Sequence, residues 1–180
     1  MNITLFGYQG CGKTYFGKKL AERLSLNFVD TDRLVESLFE TATNRKHTIR
    51  EIFQMVGEPA FRALEKDAVQ SMQNLTHAVI AVGGGIILMQ DNVKALQELG
   101  AMVFLDVDKE VLKKRVLQDE LPAFIDPMNP ELSFNRMYEF RRSIYDNIPA
   151  GRIVIDEEKS DDDVLGVLEE IYKGQKDGKQ

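Results

Sequence analysis

The sequence predicts an α/β fold, a parallel sheet with helices on both faces, and three observations predict it. Short β-branched apolar runs alternate with longer segments of helical period along the chain. Strands that alternate with helices are joined by right-handed crossovers and so run parallel. A glycine-rich stretch, Gly7-Tyr8-Gln9-Gly10-Cys11-Gly12-Lys13-Thr14, directly follows the first strand candidate and opens the first helical segment.

The strand candidates are residues 2–6, 27–29, 78–82, 102–106 and 152–155. Between the first two, Phe16, Leu20 and Leu24 recur at i, i+4 and i+8 and give residues 13–24 one apolar face. Thr48-Ile49-Arg50-Glu51 has the capping-box pattern and opens a short helix. At Glu58-Pro59 a proline stands where a first helical turn tolerates it, and Phe61, Leu64, Ala68 and Met72 continue a buried stripe. Residues 91–100 read as a capped helix ending at a glycine. Ser160 and the three aspartates after it mark the start of a last helix through Tyr172. Two stretches interrupt the rhythm. Residues 31–72 hold two or three helices between consecutive strands and read as an inserted, substrate-facing lobe. Residues 119–131 carry three of the five prolines and read as an irregular loop. The tail 174–180 is expected to be disordered.

At 180 residues, 43% of them hydrophobic, the chain fits one domain with a sizeable core. Its formal charge of -6 gives no overall attraction to nucleic acid or anionic membrane, so a polyanionic ligand needs a local cluster of positive groups. No window approaches the ~18–20 apolar residues of a membrane span, and the apolar run 2–6 is too short for a secretion signal. A cytoplasmic monomer is the expectation. Cys11 stands alone, which excludes an intramolecular disulfide, and His47 and His77 lack metal-ligand spacing with any partner.

The stretch 7–14 matches G-x-x-x-x-G-K-[ST] in the strand–loop–helix context that gives the match meaning. By average residue usage, a chance match somewhere in 180 residues is on the order of 1%. Its glycines let successive backbone N–H groups cradle phosphate oxygens, and the helix N-terminus adds partial positive charge there. Lys13 reaches the β- and γ-phosphates of ATP, and the Thr14 hydroxyl ligates Mg²⁺. Gly10, Cys11, Gly12 and Tyr15 complete the ATP-binding candidates, with Cys11 read as a small side chain whose position supplies its backbone N–H.

Asp30 and Asp32 stand two residues apart at the C-terminal edge of the second strand candidate, the ligand side of an α/β sheet. One can hold Mg²⁺ or its waters, and the other can bind or deprotonate an acceptor hydroxyl. A buried strand then runs into Gly83-Gly84-Gly85, three glycines that a simple turn does not need and that a ligand approaching bare backbone would explain. Arg62 and Arg141 offer guanidinium forks suited to carboxylate or phosphate, although a lone arginine is more often a solvated surface charge.

Together these residues resemble the shikimate kinase family, a branch of the nucleoside-monophosphate-kinase-like P-loop fold. The resemblance runs from Asn2 to Tyr172. It is carried by the P-loop with its internal Gly10, Asp30-Thr31-Asp32, Gly57-Glu58 with Phe61-Arg62, Gly83-Gly84-Gly85, and Arg141-x-x-x-Tyr145. It implies a three-layer fold with a five-stranded parallel sheet, a helical substrate-binding insertion and a mobile lid over 117–132. It implies transfer of a phosphoryl group from ATP, with Mg²⁺, to the 3-hydroxyl of shikimate. By position, Asp30 would serve Mg²⁺ and Asp32 would bind substrate hydroxyls and help deprotonate one. Arg62 and Arg141 would hold the carboxylate, the three glycines would contact ring hydroxyls, and Arg115 would pack against adenine.

Two stretches depart from the family pattern. Its lid usually carries Arg-Pro-Leu-Leu, whereas this chain has Leu121-Pro122-Ala123-Phe124, and Ser143 replaces the proline of R-x-P-x-Y. Loss of a phosphate-clamping arginine costs several kcal/mol of transition-state stabilisation unless Arg136 or another basic group replaces it. The sequence leaves two further readings open: another small-molecule kinase of the same fold, such as a sugar-acid kinase, or a nucleotide-binding module with weakened catalysis. Intact Lys13, Thr14, Asp30 and Asp32 argue against the latter.

Overall fold

The structure is a computed structural model that describes residues 1–118, 121–156 and 159–177. Five strands, β1 (Asn2–Phe6), β2 (Asn27–Asp30), β3 (Ala78–Ala81), β4 (Gly100–Val107) and β5 (Gly151–Ile155), form one sheet in the order β2-β3-β1-β4-β5. Every pairing is parallel. The helices are α1 (Lys13–Leu24), α2 (Thr31–Thr43), α3 (Ile49–Ser71), α4 (Gln90–Leu99), α5 (Lys109–Gln118), α6 (Pro130–Tyr145) and α7 (Asp161–Asp177).

Strand β1 is central and buried along its whole length, as a strand covered on both faces must be. Successive side chains point to opposite faces. Leu5 meets the α1 side, close to Gly17. Phe6 turns the other way, stacks on Phe104 at 5.3 Å between ring centroids and meets Tyr145 of α6 edge-on. The sheet therefore lies between α1 and α6. Asn2 satisfies its buried amide by donating to the Leu75 and Leu99 carbonyls and accepting from the Ala78 N–H. A second apolar cluster, Val35, Phe39, Ile52, Phe61 and Ala68, joins α2 to α3 apart from the main core.

Local signals set most boundaries. α1 spans the expected residues, and the Thr48–Glu51 capping box is formed at the start of α3. Gly57, at φ 74° and ψ 169°, interrupts α3, so Pro59 falls in the first turn after the break as the sequence suggested. Four details differ. α4 begins at Gln90 with Met89 at its N-cap and no side-chain cap, so Asp91 lies within the first turn. Gly100 belongs to β4, where a β-carbon would collide with the Asn2 backbone. Asp32 lies on α2 and not on the strand. α7 runs past Tyr172 to Asp177, across the first residues of the tail expected to be disordered, while 178–180 lie outside the described residues. Residues 119 and 120 of the expected lid also lie outside them. No helix among the described residues is long and apolar enough to cross a membrane.

Candidate active site

The loop between β1 and α1 is shaped by three glycines with positive φ: Gly7 at 148°, Gly10 at 80° and Gly12 at 94°. Side chains rarely adopt these angles. Gly7 is also sterically fixed, since a β-carbon there would lie 2.7 Å from the Leu105 carbonyl oxygen. Lys13 folds back over the loop and donates from Nζ to the carbonyls of Gly7 (3.1 Å) and Tyr8 (2.8 Å). Its charge is therefore held at the cradle. The Cys11 thiol is buried 3.8 Å from Lys13 Nζ, and the Cys11 N–H donates to the Tyr8 carbonyl at 3.3 Å, closing a turn.

Asp30 ends β2 and uses its two oxygens separately. Oδ1 accepts the Asp32 N–H at 3.0 Å and caps α2, while Oδ2 accepts the Thr14 hydroxyl at 3.0 Å. Asp30 thus caps α2 with one oxygen and leaves the other toward Thr14. Asp32 stands in the first turn of α2, and burial, with the Asp30 charge second, pushes its carboxyl up to about 6. Lys13 acts in the opposite direction.

The reason for three consecutive glycines lies in what crosses them. A β-carbon on Gly83 would stand 2.5 Å from Asp32 Oδ1, and one on Gly84 would stand 2.7 Å from Arg141 Nη1. One on Gly85 would clash with Arg62 Nη1. The sequence argument expected a ligand against bare backbone; in the structure the site's own side chains take that space. None of the three has positive φ, so contact and not conformation excludes a larger residue. Two hydroxyls pin the turn, Thr31 accepting the Gly83 N–H at 2.9 Å and Tyr145 donating to the Gly84 carbonyl at 2.7 Å.

Arg62 donates to Glu65 at 2.6 Å and Glu58 at 3.0 Å. Glu65 is buried, which raises its pKa against the opposing pull of Arg62. Arg141 is buried on α6 with its guanidinium 4.6 Å from the centroid of Phe124. Among the described residues no carboxylate forms an ion pair with Arg141. Glu65, Thr31 and Phe124 were missed by sequence reasoning. Glu65 left a signal, an acid within the apolar stripe of α3 three residues after Arg62. Phe124 left none.

One cavity of about 1340 Å³ brings together Gly10, Gly12, Lys13, Thr14, Tyr15, Asp30, Asp32, Arg62, Gly83, Gly84, Gly85 and Arg141. A site for one drug-sized ligand typically has ~300–1,000 Å³, so this space suits a nucleotide and a small acceptor side by side. Two candidates stay off its wall. Cys11 is buried beneath the loop, and Arg115 lies outside, donating to the Gly10 carbonyl at 2.9 Å. Tyr15 lines the cavity, but its hydroxyl bonds Asp161 at the start of α7. Among the described residues no cluster of three or more His, Cys, Asp or Glu is arranged to hold a metal alone.

Known proteins share both sequence and fold. The family model described as shikimate kinase matches residues 9–172. A shikimate kinase of Symbiobacterium thermophilum is 35% identical over 176 residues, covering 96% of this chain and 97% of its own. The structure of a shikimate kinase from Acinetobacter baumannii in complex with shikimate superposes with a TM-score of 0.80 at 28% identity, covering 96% of this chain and 93% of that one. The Aquifex aeolicus shikimate kinase gives 0.76 at 26% identity, covering 97% of each.

Proposed function

The chain belongs to the shikimate kinase family, and on that premise we propose that it transfers the γ-phosphoryl group of ATP to the 3-hydroxyl of shikimate. The products are shikimate 3-phosphate and ADP. The observation that carries this reading is the convergence of Asp32, Arg141 and Arg62 over Gly83–Gly85 in the cavity that also holds the P-loop.

The P-loop N–H groups and Lys13 hold the β- and γ-phosphates. Arg141, buried and without a carboxylate partner among the described residues, and Arg62, shared between Glu58 and Glu65, receive the acceptor's carboxylate. Charge-assisted bonds of this kind contribute roughly 1.5–3 kcal/mol each. That carboxylate fixes the ring so that its 3-hydroxyl meets Asp32. With its pKa near 6, Asp32 is ionised at neutral pH and still basic enough to accept a proton. The hydroxyl oxygen bonds to the γ-phosphorus as the bond from that phosphorus to the β,γ-bridging oxygen breaks. The proton passes to Asp32 and ADP departs. Lys13 stabilises the charge on the transferring group.

Thr14 and Asp30 fit a magnesium ion. They are hard oxygen donors already 3.0 Å apart at the phosphate cradle, and a triphosphate supplies further oxygens. They would hold the ion or its waters, and the ion neutralises phosphate charge when bound. The helices of residues 31–72 serve as the acceptor-binding lobe, and 117–132 as the lid. Since every group named comes from one chain, a monomer suffices, and the cytoplasm is its place of work.

The test is ADP release by the purified protein with MgATP, comparing shikimate with gluconate. Release that depends on shikimate is the expected result. Release with gluconate alone would replace the acceptor, and none with either would remove the enzymatic reading.

A further inference from the structure

Helix α6 lays one face along the cavity. Leu132, Ser133, Arg136, Met137, Phe140 and Arg141 all line it, at the i, i+1, i+4, i+5, i+8 and i+9 spacings of a single helical stripe. Arg141 lies deep in the stripe, against Gly84. Arg136 lies about 7.5 Å of helical rise nearer the start of α6. Its side chain is exposed to the cavity and has no hydrogen bond or ion pair among the described residues.

The other basic side chains of this cavity are engaged. Lys13 donates to loop carbonyls, Arg62 pairs with Glu58 and Glu65, Arg50 has a partner, and Arg141 is packed under Phe124. Among the described residues five basic and five acidic side chains line the cavity, so these show no general excess of positive charge to hold a polyanion. Nor does the neighbouring segment supply one. From Val116 to Asn135 the chain has no lysine or arginine, and Arg136 is the first cation after it.

We propose that Arg136 is a further catalytic residue, whose guanidinium binds the phosphoryl group in transfer from the α6 wall while Lys13 binds it from the P-loop. The proposal rests on the kinase reading above. A transferring phosphoryl group spreads its charge over three equatorial oxygens, and a planar fork can hold two of them where an ammonium holds one. Arg136 is exposed on the wall of the cavity that holds the P-loop and is unpartnered among the described residues, so turning toward such a group breaks no ion pair among them.

The experiment uses Arg136→Gln and Arg136→Ala, with Arg45→Gln as a control for loss of one surface charge. Calorimetry with MgATP and MgADP needs no acceptor and therefore tests Arg136 independently of shikimate. The expected result for Arg136→Gln is MgATP binding weaker by about tenfold, by the energy of one charge-assisted bond, with MgADP binding unchanged. In turnover with shikimate, kcat falls about 100-fold or more, the usual cost of one transition-state donor, while the KM for shikimate stays put. Added guanidinium ion restores part of the turnover of Arg136→Ala, which a purely structural role would not allow. Equal losses for ATP and ADP, or wild-type kcat, overturn the proposal. A raised shikimate KM at unchanged kcat also overturns it, by assigning Arg136 to the acceptor. Absence of shikimate phosphorylation by the wild type overturns the acceptor reading and leaves the ATP–ADP comparison to decide Arg136.

Discussion

Asp32 and Gly83 are in contact so close that a β-carbon on Gly83 would lie 2.5 Å from the Asp32 carboxylate oxygen. The same relation links Gly84 to Arg141 at 2.7 Å. Each glycine therefore leaves room for a different side chain of the candidate site. Gly83→Ala should reproduce a loss of Asp32, lowering kcat by about 100-fold, the lower range for general-base catalysis. Gly84→Ala should act mainly on the shikimate KM. Steady-state kinetics of both variants, with folding checked by circular dichroism, tests this; identical kinetic signatures would break the pairing.

Asp32 should also give pH-dependent stability. Its carboxyl is raised from 3.8 to about 6, so between these values the folded protein binds more protons than the unfolded chain. Stability then falls as pH rises through that window, by up to ~3 kcal/mol once pH exceeds 6. Asp32→Asn removes this cost. The free variant should melt several degrees higher than wild type at pH 7, at roughly 2–4 °C per kcal/mol for a chain of this size, and no higher near pH 4. Its activity should collapse, and the acid limb near pH 6 in the wild-type kcat/KM profile should vanish with it. An unchanged melting difference across pH would show that Asp32 is not buried as described.

Asp30→Asn separates capping from ion binding. Asparagine caps a helix about as well as aspartate, so stability should stay within about 0.5 kcal/mol. The lost charge beside Thr14 should raise the magnesium concentration needed for half-maximal turnover by about tenfold, the scale of one charge-assisted contact. Magnesium titration of turnover, alongside thermal melting, reads both. A lower melting temperature at an unchanged magnesium requirement would make Asp30 a cap alone.

Arg141→Lys and Arg62→Lys address the acceptor's carboxylate. An ammonium cannot reproduce the bidentate fork, and the shikimate KM should rise about tenfold or more by the energy of one charge-assisted bond. The KM for ATP should hold. Arg141 carries the sharper expectation, because no carboxylate neutralises it among the described residues. Wild-type shikimate KM values for both would remove the carboxylate clamp.

Much of this molecule was legible as text because the signals are local. The strand into Gly7, the glycines at 7, 10 and 12, and the helix from Lys13 to Leu24 are encoded in contiguous residues by steric and periodic demands. Asp30 beside Thr14 was likewise within reach of motif reasoning. The strand order β2-β3-β1-β4-β5 is a property of the packed sheet. The meaning of Gly83–Gly85 also required the fold, because the side chains that cross them come from α2, α3 and α6. Glu65 read as one acid among many until burial beside Arg62 made it a partner. Asp32 owes its raised pKa to desolvation, which no stretch of sequence specifies. Contiguous residues determine backbone conformation and phosphate-cradle chemistry; which distant groups share a space, and how far water is excluded from it, is decided only when the sheet closes between its helices.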